Sequence, residues 1–92
     1  MKAHYRRIAK QLKQARARLR RISETRDLPD LHRFAVDLQN SMPEAIAHEY
    51  LPLFIDGLGV DNEEAIPVYA ERLDPVLTQL LHQYRKKAGE GE

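Results

Sequence analysis

The side chains that could do metal chemistry in this chain are four histidines and a set of carboxylates. Glu44 and His48 are four residues apart, which would place them on one face of a helix, with Glu49 adjacent. Two ligands do not make a metal site. A di-iron bundle requires Glu-x-x-His on two helices and two further Glu residues, whereas this chain has Glu-x-x-x-His once. We predict no metal centre, and a role for His48 with Glu44 stays open.

Motifs for other kinds of catalysis are missing from the sequence. The chain contains no Cys, which excludes disulfides, thiolate metal sites and a cysteine nucleophile. Gly57 and Gly59 precede the acidic residues 61–64, which would repel a phosphate rather than bind one. Residues 56–64 also lack the alternating oxygen ligands of a calcium loop. We therefore predict a protein that is not an enzyme and holds no cofactor.

Charge is sorted along the chain, although the formal net charge is only +1. Residues 1–26 contain ten Lys or Arg and one acid, Glu24, whereas residues 27–84 contain eleven acids and two bases. Such asymmetry indicates either a polyanionic partner for the basic part or pairing of the basic part with the acidic part. The sequence alone leaves both interpretations open.

The apolar residues of the basic part recur at alternating steps of three and four, which predicts a helix over about residues 3–25. We call this face the seam, and it consists of Tyr5, Ile8, Leu12, Ala15, Leu19 and Ile22. Arg16 and Arg18 flank the seam and belong to the predicted protein-interaction surface. In a parallel homodimer these flanks would offer Arg against Arg, which disfavours self-pairing through this helix alone. The seam instead requires a helix with acidic flanks, in the same molecule or in a second copy.

Six further bases lie on the opposite side of the same predicted helix. We call them the outer basic row, and they are Arg6, Arg7, Lys10, Lys13, Arg20 and Arg21. A row of this kind can follow several phosphates of DNA or RNA. No helix-turn-helix pattern, zinc-ligand spacing or aromatic sheet motif accompanies it, and only Tyr5 offers a ring for base stacking. The competing interpretation is a solvated helix face that steers docking to an acidic protein.

Helix start signals divide the acidic part of the chain. Residues 27–30 and residues 41–44 each predict an N-cap, at Asp27 and at Ser41, followed by Pro in the first turn. Proline inside a helical segment predicts kinks or breaks, because it removes one backbone hydrogen bond and crowds the preceding turn. These positions are Pro52, Pro67 and the pair Asp74-Pro75, which could also begin a new helix.

Together these patterns predict an all-α protein, a small four- or five-helix bundle with a long basic N-terminal helix and Pro-kinked later helices. We expect one helical domain over residues 1–87, with the acidic helical body at about 28–87 and a disordered tail at 88–92. No apolar stretch approaches the roughly 20 residues that span a bilayer, and the narrow apolar face without Trp or Phe argues against a membrane-surface helix.

The function expected from the sequence is binding rather than catalysis. The first hypothesis is a protein-interaction or assembly module, acting in the cytoplasm, that uses the basic helix as its recognition element. Its partner would be another protein or a second copy of the chain, with a homodimer as the expected assembly. The alternative is a small nucleic-acid-binding accessory protein that uses the outer basic row on DNA or RNA.

Overall fold

Helices account for most of the chain, as the apolar spacing predicts. The computed structural model describes residues 2–46 and 49–89, and no β-strand occurs among them. The elements in chain order are α1 (Lys2–Thr25), α2 (Leu28–Ser41), α3 (Pro43–Ile46), α4 (Leu51–Leu58), a 3-10 turn (Glu63–Ala65) and α5 (Ile66–Lys87). The prediction of a small all-α bundle is confirmed.

The two long helices, α1 and α5, pack against each other in opposite directions. Tyr5 at the start of α1 lies beside Tyr84 near the end of α5, and Arg16 lies beside Asp74 near the middle of α5. Leu12 of α1 is fully buried in the core, and so are many apolar residues of α5. α2 packs beside α1 of this antiparallel pair, and α3 and α4 pack mainly against α2.

The connection between α1 and α2 is short and closed by backbone hydrogen bonds. Arg26 adopts a left-handed conformation with φ of 53°, and its amide donates to the Ile22 carbonyl at 2.7 Å. Asp27 then caps α2, because its carboxylate accepts a hydrogen bond from the Asp30 amide at 3.1 Å. The N-cap predicted at Asp27 is confirmed, and it turns the chain so that α2 packs beside α1.

The second predicted cap, at Ser41, is wrong. Ser41 is the last residue of α2, and its hydroxyl donates to the Asp37 carbonyl one turn earlier, at 2.8 Å. The Met42 carbonyl instead accepts the first hydrogen bonds of α3. The helix interruption expected at Pro52 falls before that residue, since α4 begins at Leu51 and Pro52 occupies its first turn, where proline is tolerated.

One contact fixes α4 on α5. The buried Tyr69 hydroxyl donates to the Leu53 carbonyl at 2.8 Å, and the Tyr69 ring lies against Gly57, where no side chain intervenes. Burial, together with the charge of Asp56, raises the pKa of Tyr69 to about 12. This contact leaves the opposite side of α4 facing outward.

The pair Asp74-Pro75 does not begin a new helix, because α5 runs through it. The Asp74 carboxylate is held by Arg16 at 3.2 Å and does not act as a cap. Leu73 and Leu77 on either side are fully buried. Burying two leucines contributes about 3–6 kcal/mol, which offsets the roughly 3 kcal/mol that an internal proline costs. A bend of α5 at Pro75 stays a prediction.

The ordered chain continues past residue 87, where we expected a disordered tail. Ala88 is buried, and its amide donates to the Tyr84 carbonyl at 3.0 Å. Gly89 follows in a left-handed conformation with φ of 81°. The rest of the predicted tail, residues 90–92, lies outside the described residues. No helix within the described ranges is long and apolar enough to cross a membrane.

Candidate functional site

The seam of α1 lies inside the molecule's own core. Five of its six residues are buried, namely Ile8, Leu12, Ala15, Leu19 and Ile22. Tyr5 is half-buried, with its ring centroid 6.0 Å from that of Tyr84. Of the two partners that the sequence left open for the seam, this structure uses the body of the same chain.

Arg18 joins α1 to α2 through two carboxylates. Its guanidinium donates to Asp30 at 2.9 Å and to Asp37 at 3.0 Å, and it lies over the Phe34 ring at 5.5 Å from the centroid. Partial burial lowers the pKa of Arg18, but the hydrogen bonds to Asp30 and Asp37 outweigh this effect and the pKa is raised. The positive charge of Arg18 is therefore neutralised by acidic residues of α2.

Arg16 has the same role on the other side of the seam. Its Nε donates to Asp74 of α5 at 3.2 Å, with both side chains about one third to one half exposed, at 32% and 48%. Such a pair contributes at most about 1 kcal/mol to the stability of the fold. Arg16 and Arg18 thus meet the acidic body within a single chain.

The outer basic row is on the opposite face of α1, and all six of its residues are exposed. Within the part of the chain that the structure describes, five of them form no ion pair, namely Arg7, Lys10, Lys13, Arg20 and Arg21. Pairing with the acidic body therefore accounts for the positive charges of Arg16 and Arg18, but not for those of the outer basic row.

The antiparallel packing adds more positive charge at one end of the row. The last turn of α5 carries Arg85, Lys86 and Lys87, and Lys87 Nζ lies 4.6 Å from the Tyr84 ring centroid and 5.8 Å from that of Tyr5. Bases in the last turn of a helix meet the negative end of its dipole. Their position beside α1 depends on the α1–α5 pairing, which no local sequence pattern specifies.

A groove of about 210 Å³ lies between α1 and the end of α5. Four basic residues and the buried Ala9 line it. The basic residues are Arg6, Lys10, Lys13 and Arg85. No acid lines it. The groove is present because the side chain of Ala9 is small, and basic residues of α1 and α5 surround the groove.

A larger cleft of about 450 Å³ lies between the second half of α1 and the first half of α5. Leu19, Pro67 and Ala70 contribute apolar surface to it, while Arg20 and Glu71 contribute opposite charges. Ser23, Glu24 and Asp74 also line it, so the cleft mixes apolar, polar and charged groups of both signs. It has no chemistry that sequence or structure singles out.

The histidines are held in separate places. His4 Nε2 lies 3.2 Å from a Glu44 carboxylate oxygen in an exposed contact, and His32 Nε2 donates to the Val60 carbonyl at 2.7 Å. Among the residues with a described placement, no group of three or more His, Cys, Asp or Glu side chains could hold a metal ion. The pairing of Glu44 with His48 is not among them, because His48 lies outside the described residues.

The outward side of α4 is apolar. Leu51, Ile55 and Leu58 follow at steps of four and three and expose 37%, 50% and 41% of their surface. Phe54 and Gly57, on the other side of the same helix, are buried. We call these three exposed residues the α4 face.

Comparison of the chain with protein-family models, with curated proteins and with solved structures finds no match in any of the three. The functional argument therefore depends on the surfaces described above.

Proposed function

We propose that this protein is a non-enzymatic helical module that binds nucleic acid through the outer basic row of α1. The observation that supports the proposal is the division of the α1 bases. The flanking Arg16 and Arg18 are paired with the acidic body, whereas the outer basic row is exposed and five of its six residues form no ion pair with a described residue. A concentration of like charge without internal compensation is the electrostatic signature of a surface for polyanions.

The length of the row fits a phosphate backbone. From Arg6 to Arg20 the helix rises about 21 Å, at 1.5 Å per residue. Phosphates of one DNA strand repeat about every 3.4 Å along the duplex axis, so the row is as long as a run of about six phosphates. Contacts of this kind carry no sequence information. The proposed binding is therefore independent of base sequence and strongly dependent on salt.

The test is fluorescence anisotropy of labelled mixed-sequence DNA and RNA, titrated with the protein at about 50 mM and 200 mM salt. The variant is Lys10→Gln with Arg21→Gln, and the matched control is Arg33→Gln with Arg72→Gln. Both doubles remove two positive charges, but the control residues lie in the acidic body beside Asp30 and Asp56. Circular dichroism checks that both variants fold.

We expect the Lys10 and Arg21 variant to lose about two orders of magnitude in affinity at 50 mM salt, because each phosphate contact contributes about 0.9 to the salt slope. The plot of log affinity against log salt would become shallower by about 1.8. The control would bind like the wild type. Equal losses in the two doubles would mean that net charge matters and the row does not, and absence of binding by the wild type would reject the proposal.

A second candidate function, assembly with a second copy of the chain, is favoured by the α4 face. Leu51, Ile55 and Leu58 carry no charge, so two copies of this face can meet about a twofold axis without repulsion. The seam hypothesis would require α1 to leave its own core, whereas this surface is already exposed. Assembly and nucleic-acid binding use different faces and are compatible with each other.

Light scattering after size exclusion tests the assembly candidate. A wild-type mass of twice 10.7 kDa, reduced to one chain by Ile55→Asp but not by Val36→Asp on α2, would support a dimer through the α4 face. A wild-type monomer at all concentrations would reject it.

For the compartment we propose the cytoplasm, because a chain without Cys gains nothing from an oxidising environment.

A further inference from the structure

The groove between α1 and the end of α5 concentrates cations from two helices. Arg6, Lys10 and Lys13 lie on the α1 side and Arg85 on the α5 side, and none of the described residues that line the groove is an acid. Neither Lys10, Lys13 nor Arg85 forms an ion pair with any residue that the structure describes. An anion that enters the groove relieves the mutual repulsion of Lys10, Lys13 and Arg85, so the groove favours a phosphate.

Tyr5, the ring that the sequence offers for base stacking, is half-buried in this structure. Tyr5 packs against Tyr84, and Lys87 Nζ lies near both ring centroids, at 5.8 Å and 4.6 Å. Proteins that bind single-stranded nucleic acid combine a positively charged groove with aromatic side chains on which bases stack. With Tyr5 packed in this way, the described part of this surface offers charge but no freely exposed aromatic face.

We infer that the groove is a phosphate-binding part of the nucleic-acid surface, with Arg85 as a contact residue, and that the ligand is a duplex rather than a single strand. This inference rests on the proposed function. A duplex carries one charge per about 1.7 Å of axis, counting both strands, which gives a surface without stacking groups the most counterion release. Bases on two adjacent helices, whose axes lie about 8–10 Å apart, can neutralise phosphates that one helix alone does not reach.

The inference is tested on the full chain with Arg85→Gln, Arg85→Lys and the control Arg72→Gln. Arg72 lies on the same helix, is exposed, and points to Asp56 at 3.6 Å, away from the groove. The ligands are a labelled mixed-sequence DNA duplex of about two helical turns and one of its strands alone, in the same buffer at about 50 mM and 200 mM salt.

We expect Arg85→Gln to weaken duplex binding about tenfold at 50 mM salt and to make the salt slope shallower by about 0.9, as the loss of one phosphate contact requires. Arg85→Lys keeps the charge and would retain most of the affinity, while Arg72→Gln would match the wild type. The wild type would bind the duplex more tightly than the single strand.

The outcomes separate the two proposals. If Lys10→Gln with Arg21→Gln weakens binding but Arg85→Gln behaves like Arg72→Gln, the groove inference is wrong and the proposed function stands. If the single strand binds as tightly as the duplex, the assignment of the ligand to a duplex is overturned. If the wild type binds neither ligand at the lower salt, both proposals are rejected together.

Discussion

The contact between Gly57 of α4 and Tyr69 of α5 makes Gly57→Ala the sharpest test of the fold. A Cβ atom at position 57 would lie 2.6 Å from the Tyr69 hydroxyl oxygen and 2.9 Å from the ring carbon that bears it. Both distances are well inside van der Waals contact. The ring is buried and held by its hydrogen bond to the Leu53 carbonyl, so it has little freedom to move aside.

The expected cost follows from three contributions. Overpacking a core by one methyl group costs about 1–3 kcal/mol, and weakening the tyrosine hydrogen bond adds about 1 kcal/mol. Replacing Gly by Ala inside a helix returns about 0.5–1 kcal/mol. We therefore expect Gly57→Ala to lower the free energy of unfolding by about 2 kcal/mol. In a domain of this size that corresponds to a fall in Tm of about 10 °C.

Gly59→Ala is the matched control. A Cβ atom there would meet only the Asp56 carbonyl, at an ordinary 3.5 Å, and φ at Gly59 is −87°, which any residue adopts. Urea denaturation followed by circular dichroism gives the free energy of unfolding of both variants. Gly57→Ala is also measured in a Tyr69→Phe background. There the Tyr69 hydroxyl oxygen, the atom nearest to the new methyl group, is gone, so the methyl group should cost less stability. If Gly57→Ala is as stable as Gly59→Ala, then α4 does not pack on Tyr69 as described.

The remaining predictions concern the α1 terminus and alkaline pH. Arg26→Gly should raise the free energy of unfolding by about 1 kcal/mol in urea denaturation, because glycine adopts the left-handed conformation at φ of 53° without strain. Stability should fall as pH rises from about 10 towards 12, because the folded chain keeps the Tyr69 proton, at a pKa of about 12, while the unfolded chain releases it near 10. Urea midpoints at pH 9 and 11, about one unit below and above that ordinary pKa, should therefore differ more in the wild type than in Tyr69→Phe.

Patterns that involve neighbouring residues were predictable from the sequence. The seam follows from apolar spacing alone, and the Asp27 cap follows from a carboxylate placed three residues before the amide that it binds. Both depend on interactions within one or two helical turns. The same local reasoning gave the outer basic row, since residues on the side of a packed helix opposite the seam face outward.

Other features depended on competition that local patterns do not record. Ser41 has the sequence of a cap, but its hydroxyl bonds back to the Asp37 carbonyl in its own helix. Asp74 has the sequence of a cap as well, but Arg16 holds its carboxylate. The groove with Arg85 escaped prediction because apolar periodicity shows that a helix packs, without showing which helix it packs on or in which direction.

The two faces of α1 have separable energetic roles, and this separation is what makes the functional proposal open to test. Leu12 is fully buried, so Leu12→Ala would cost about 2–5 kcal/mol of stability and would weaken binding only by unfolding the protein. Lys10 is exposed and unpaired within the described residues, so changing it alters the field at the surface and leaves the core intact. A loss of binding at unchanged stability therefore reports on the outer face alone. Substitutions at Leu12 and Lys10, two positions apart on α1, therefore test the structural role of the helix and its proposed binding role separately.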